Sequence, residues 1–319
     1  MTLRCGFLLF NGFSNMVLAS AIEPLRVARD YAGAENFSWL LLTPDGNDVK
    51  SSSGLILRAD AKLDNARNLD LLFLVAGYGA RGHATPTIIK SLQLIERKIP
   101  RLGTLDSAAW ILAATGLLDG YRATIHWQEL NEFRETYYDI NLSTDHYVID
   151  RNRITAGGAS TVNSLMLKLI GDQGGKALAF DVMNMFAYDA RQTVRGEQTA
   201  DSNVAQIQSA KAQASQLIRA VAAMNRHIEN PLSLEQIAGF AAVSERTLAR
   251  IFTRELGIGP GHYYQRIRLD MARALAEETS LSAGEIATRT GFSTASSLSR
   301  AFSAHFGWTL RASKRHRRG

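Results

Sequence analysis

Along the first 190 residues, short unbroken apolar runs alternate with longer stretches in which apolar positions recur at helical spacing. Residues 6–10, 39–42 and 71–75 are runs of the first kind, rich in Leu, Val and Phe, while residues 17–28 and 88–97 belong to the second. A strand buried on both faces shows no polar alternation, and a crossover helix must intervene before the next parallel strand. The pattern therefore predicts one doubly wound α/β domain with a parallel sheet over residues 1–190, long enough to bury its own core.

The last third has a different texture, a duplication. Ile237-Ala238 is followed by Leu248-x-Arg250-x-Phe252 and Gly257, and Ile286-Ala287 by Leu298-x-Arg300-x-Phe302 and Gly307. The copies are offset by 49 residues at the Ile-Ala pair and by 50 from Leu248 onward, so the turn between the two helices of the unit has gained or lost one residue. In the first copy Leu234, Ile237 and Ala238 form an apolar stripe, residues 241–243 make the break, and Ser244 caps a helix burying Leu248, Ile251, Phe252 and Leu256. In the second, Ile286 and Ala287 lie on the first helix, Gly291-Phe292 turns the chain, and Ser293 or Thr294 caps a helix carrying Leu298, Phe302 and Phe306 inward. This predicts an all-α domain with two helix-turn-helix units. Arg246, Ala249, Arg250 and Arg254 remain outside on one helix, and Ala295, Ser296, Ser299 and Arg300 on the other. Small residues permit close approach in a major groove about 12 Å wide, and guanidinium forks suit guanine edges or phosphates. Between the copies, Tyr263, Ile267, Met271 and Leu275 predict the buried stripe of one longer helix. A rod of roughly 25 Å could hold two reading heads about one DNA turn apart.

Charge agrees. Residues 215–319 carry 15 Lys plus Arg against 8 Asp plus Glu, whereas residues 1–214 carry 21 against 22. The excess coincides with the duplicated unit and ends in Lys314-Arg315-His316-Arg317-Arg318, a basic tail able to touch phosphates without reading sequence. Residues 191–214, poor in large apolar side chains, are expected to be a linker that becomes helical from about Val204, with Pro231 ending that helix. Residues 4–21 mimic a secretory leader, but Asn11, Ser14 and Asn15 interrupt the apolar region and cleavage would remove the first strand. No run approaches the ~18 apolar residues of a membrane span. A single cysteine, Cys5, fits a reducing cytoplasm.

The stretches LSLEQIAGFAAVSERTLARIFTRELGIGPGHYYQRIRLDMARALAEE and IATRTGFSTASSLSRAFSAHFG resemble the AraC/XylS family of bacterial transcription regulators. The resemblance implies double-stranded DNA as partner, contacted by Arg246, Ala249 and Arg250 from the first unit and by Ala295, Ser296 and Arg300 from the second. One departure stands after the final Gly, where the family usually has proline and this chain has Trp308-Thr309-Leu310; a slightly altered C-terminal helix is expected.

In the α/β half, GTLDSAAWILAATGLLDG reads as a strand, a sharp turn at Asp106-Ser107 and a helix closing near Gly116. The tip of such an elbow is thrust into the cleft at the carboxyl edge of the sheet, above helix N-terminal amides. Asp106 has a second reading, a simple helix N-cap. LLDGYRATIHWQELNEF, RITAGGASTVNSLMLKLI and FNGFSNMVLASAIEPLR resemble the class I glutamine amidotransferase-like superfamily, in the branch fused to AraC-type domains. Its enzymes keep a cysteine at the elbow tip, where this chain has Asp106, and Cys5 falls in the first strand. The resemblance therefore implies a ligand-sensing, catalytically inactive domain with no cofactor and no metal, answering to cationic or quaternary-ammonium metabolites such as glycine betaine, carnitine or arginine. An ionised Asp106 above a helix N-terminus, with Ser107, Tyr78, His126 and Trp127 around it, would suit such a cation. His126 and Trp127 stand evenly between pocket and packing, Trp110 reads as core, Glu23 as a surface ion pair, and Gly157-Gly158 as a turn near the cleft. The expected whole is a homodimeric activator that works with RNA polymerase. The rival is an amidase- or hydrolase-type enzyme tethered to DNA, with Ser107 as nucleophile and His126 as base.

Overall fold

The computed structural model describes residues 2–33, 35–187 and 204–313. The expected linker up to residue 203 and the basic tail from Lys314 lie outside the described residues. The chain divides into two compact units, Met1–Arg191 and Gln192–Gly319.

The first unit has strands β1 Leu3–Leu9, β2 Phe37–Thr43, β3 Val49–Lys50, β4 Ile56–Leu57, β5 Ala61–Lys62, β6 Leu71–Ala76, β7 Arg101–Asp106, β8 Arg122–Ala123, β9 Asn141–Leu142, β10 Tyr147–Asp150 and β11 Arg153–Ala156. Its helices are α1 Asn15–Ala32, α2 Pro86–Glu96, α3 Ala109–Ala113, α4 Leu130–Thr136, α5 Ala159–Gly174 and α6 Lys176–Ala187. Seven strands form one sheet in the order β10-β11-β7-β6-β1-β2-β5, parallel except for the β10–β11 pair. The apolar runs are continuous because both sheet faces are covered. Leu3, Cys5, Phe7 and Leu9 of β1 join Leu71, Phe73 and Val75 of β6 in a core completed by α1 and α5, with Val17, Leu25, Leu165 and Met166. Leu8, Phe10, Leu72, Leu74 and Ala76 point the other way, toward Leu92 and Ile95 of α2 and Trp110 and Ile111 of α3. The chain order reverses across the sheet between β1 and β6, and in open α/β sheets such a switch opens a crevice at the carboxyl ends of the strands.

The second unit contains α7 Val204–Arg226, α8 Leu234–Ala241, α9 Glu245–Leu256, α10 Pro260–Glu278, α11 Ala283–Arg289, α12 Ala295–Phe306 and α13 Leu310–Ser313. The duplication is written in the caps. Ser233 and Ser282 close capping boxes on α8 and α11, while Ser244 and Thr294 cap α9 and α12. The extra residue thus lies in the second turn, where Gly291 takes φ 68° and a Cβ would meet the Ile228 carbonyl at 2.6 Å. The first turn uses Ala242 in the left-handed region instead, at φ 55°.

The repeat is larger than its sequence signature. Arg219 of α7 donates from Nη2 to the Ala241 carbonyl at 3.2 Å, and Arg268 of α10 donates from Nε to the Thr290 carbonyl at 2.7 Å. Each arginine satisfies carbonyls left open where the first helix of a unit ends. The repeated element is therefore three helices, α7-α8-α9 and α10-α11-α12.

The single stripe expected on α10 is corrected. Tyr263 is buried edge-on to Phe252 at 5.5 Å and Tyr264 donates its hydroxyl to the His227 carbonyl at 2.6 Å, whereas Leu269, Ala272 and Ala276 face the opposite way into a core with Ile286, Leu298 and Phe302. Met271 is 40 % exposed and Ile267 only half-buried. A strict spacing of four drifts about 40° per step around a helix of 3.6 residues per turn, so it cannot keep one face. The helix serves one unit with each end. At the C-terminus Trp308 stacks near Phe306 and donates from Nε1 to Ser313 Oγ at 3.0 Å, and α13 buries Leu310.

Candidate functional site

The sharp turn after β7 holds Asp106 at φ 64°, a conformation that costs a non-glycine residue about 1–2 kcal/mol. Three backbone hydrogen bonds hold it there. The Asp106 amide donates to the Gly157 carbonyl at 3.0 Å, the Ser107 amide to Ala76 at 2.9 Å, and the His126 amide to Asp106 at 3.3 Å. The elbow is thus tied to the ends of β6 and β11 and to the segment after β8. Gly77 permits the approach of a neighbouring loop, since a Cβ there would lie 2.7 Å from the Gly12 carbonyl.

These segments enclose a cavity of about 260 Å³ lined by Ser14, Tyr78, Asp106, Ser107, His126 and Glu129 among others. Of the sequence-derived pocket residues, Asp106, Ser107, Tyr78 and His126 lie in its wall. Trp127 does not; it sits in a short 3-10 turn, 71 % exposed, its ring 5.8 Å from that of His126. Trp110 is core, Glu23 pairs with Arg26 at 2.8 Å on the surface of α1, and Gly158 borders the cavity. Glu129 was missed. Its place in the wall depends on the 3-10 turn after His126, which has no periodicity to read.

Asp106 is not a helix cap, because α3 begins after Ala108 and has no side-chain cap. Asp106 is 9 % exposed, and its carboxyl accepts no hydrogen bond among the described residues. Burial first, and the Glu129 charge second, push its pKa up to about 7. This corrects the expectation of a stably ionised group: α3 is five residues long, and its dipole does not offset the desolvation. Among the described residues no lysine or arginine lines the cavity. Cys5 lies buried in β1 with its thiol pushed up to about 12 by burial. No hydrogen bond joins Ser107 to His126 among the described residues, and the Ser107 amide is already spent on Ala76.

In the second unit, Leu248, Ile251, Phe252 and Leu256 of α9 are buried, leaving Arg246, Ala249 and Arg250 exposed on one face. On α12, Leu298 and Phe302 are buried, Ser296 and Arg300 exposed, and Ala295 half-buried. The guanidinium groups of Arg246, Arg250 and Arg300 make no hydrogen bond or ion pair among the described residues.

Comparison with known proteins agrees in both units. Residues 4–172 match the DJ-1/PfpI family and residues 237–316 the helix-turn-helix domain. The chain is 36 % identical over 302 residues to the HTH-type transcriptional regulator GbdR of Pseudomonas aeruginosa, covering 95 % of this chain and 81 % of that one. It is 33 % identical over 307 residues to the HTH-type transcriptional regulator GlxA of Rhizobium meliloti, covering 96 % and 94 %. A crystal structure of an AraC family transcriptional regulator from Pseudomonas putida superposes with a TM-score of 0.52 at 27 % identity, over 58 % of this chain and 99 % of that one. No described helix is long and apolar enough to cross a membrane. The chain belongs to the AraC-family HTH-type transcriptional regulators that carry an N-terminal DJ-1/PfpI domain.

Proposed function

We propose that this regulator is a sensor and not an enzyme: a small organic cation binds beside Asp106 in residues 1–190, and residues 215–319 read the operator, with residues 191–214 as linker. The observation that carries the reading is the Asp106 carboxyl, buried at the elbow tip and facing a cavity walled by a second acid, with no hydrogen-bond partner and no lysine or arginine beside it among the described residues. A cation there supplies the missing counter-charge, and Tyr78 at the mouth, 81 % exposed, offers a ring face. The hydrolase alternative lacks support, since neither an accessible thiol nor a Ser107–His126 bond is present among the described residues. Arg246, Ala249, Arg250, Ala295, Ser296 and Arg300 contact DNA, and the protein acts in the cytoplasm as a homodimeric activator with RNA polymerase.

Thermal-shift screening of betaines, carnitine, basic amino acids and polyamines tests the sensor. A ligand at 100 times its dissociation constant should stabilise the fold by about 2.7 kcal/mol. Asp106→Asn should fold, bind operator and lose most of that gain; an unchanged response in this variant would sink the cation reading.

A further inference from the structure

Trp110 is buried in the core of the first unit, yet its polar edge does not face the core. Its Nε1 donates to Glu129 Oε2 at 3.0 Å, and Glu129 lines the cavity. The indole is clamped on several sides. The Arg81 guanidinium lies over the ring at 3.5 Å and is itself held by Glu132 at 2.7 Å, while Phe133 meets the indole edge-on at 4.8 Å and Tyr137 lies at 5.8 Å. A donor locked in this way has one place to put its hydrogen bond. Glu129, on a short turn and half-buried, would otherwise be free to swing toward water and away from Asp106.

We propose that Trp110 is a positioning residue, whose indole N–H fixes Glu129 as a second carboxylate wall beside Asp106. The pocket then presents two acids to one cation, which favours a compact, fully charged ligand over a neutral one of the same shape. The like charge raises Asp106, consistent with the direction of its shift. The other titratable groups on the cavity wall are His126 and Tyr78; Arg81 faces the indole from outside the wall, neutralised by Glu132.

This inference rests on the sensor reading, but its test needs no ligand, so either can fail alone. The Asp106 midpoint is read from the pH dependence of apo stability, as the difference between each protein and its own Asp106→Asn partner. Glu129→Gln removes the charge and Trp110→Phe removes only the N–H, leaving a ring for Arg81 and Phe133. Both should lower the midpoint by roughly half to one pH unit, and the double variant should go no lower than Glu129→Gln alone. A midpoint unmoved in Glu129→Gln, or moved there but not in Trp110→Phe, overturns the proposal. If Trp110→Phe does not fold, the indole resonances of ¹⁵N-labelled protein decide. The Trp110 N–H should move upfield in Glu129→Ala while Trp39 and Trp308 keep their positions, and an unmoved Trp110 signal overturns the proposal.

Discussion

Asp106 in the elbow pocket and Arg246, Arg250 and Arg300 on α9 and α12 have no hydrogen-bond or ion-pair partner among the described residues, and they lack one in opposite settings. Asp106 is buried, so its charge is costly to the fold and its ionisation is shifted toward neutrality. Arg246, Arg250 and Arg300 are exposed, so their charge is free of that cost but screened by every ion in solution. One region should therefore be tuned by protons and the other by salt. The two responses are separable experimentally.

The largest effect concerns the separateness of the regions. A fragment starting near Ala205 should fold, bind operator and lose all response to a cation that shifts the whole chain, because the two units have their own cores. Circular dichroism and operator titration would check this; a fragment that fails to fold would show that the division of labour is drawn wrongly.

Next comes the buried acid. With a folded pKa of about 7 against an unfolded value near 3.8, Asp106 contributes stability that is fully present below pH ~4 and lost as pH rises through about 7. Ligand-free Asp106→Asn should therefore exceed the wild type in stability by roughly 2–4 kcal/mol at pH 8, with the gap closing toward pH 4. Denaturant midpoints across pH would measure it, and Arg250→Ala should show no such pH dependence.

On the exposed side, Arg250→Ala and Arg300→Ala should each weaken operator binding by about 1–3 kcal/mol and relax specificity at different bases. Titrations on point-mutated operators separate this from phosphate contact, in which the loss is uniform across sequences and the salt slope falls by about one.

The smallest effect lies within the pocket. Cation affinity should rise up to about tenfold per pH unit below 7 and level off above it, as Asp106 ionises. A flat calorimetric profile would mean that the cation does not need the Asp106 charge.

The sequence showed most where burial is two-sided or capped. The strands β1 and β6 appear as apolar runs because both of their faces are covered, and in the second unit Ser244 and Gly291 mark the turns by residue type alone. Two-residue strands such as β3 and β8 have no period to detect. Asp106 was legible as an elbow tip, but its charge state depends on burial in the cavity and on Glu129, which come together only in three dimensions. Trp127 followed the family phrase and faces outward, whereas Glu129, two residues on, faces the cavity.

Past the second turn the units run in step at an offset of 50, so Arg300 stands where the first unit has Arg250, but Ser296 stands where it has Arg246 and Ser299 where it has Ala249. The two arms share a pattern but do not carry the same alphabet. A duplex read by such a pair has a head and a tail: turned end for end, it would meet a serine where a guanidinium is required. With both arms seated on bases, such a chain would be fixed not only in its place on the DNA but in its direction.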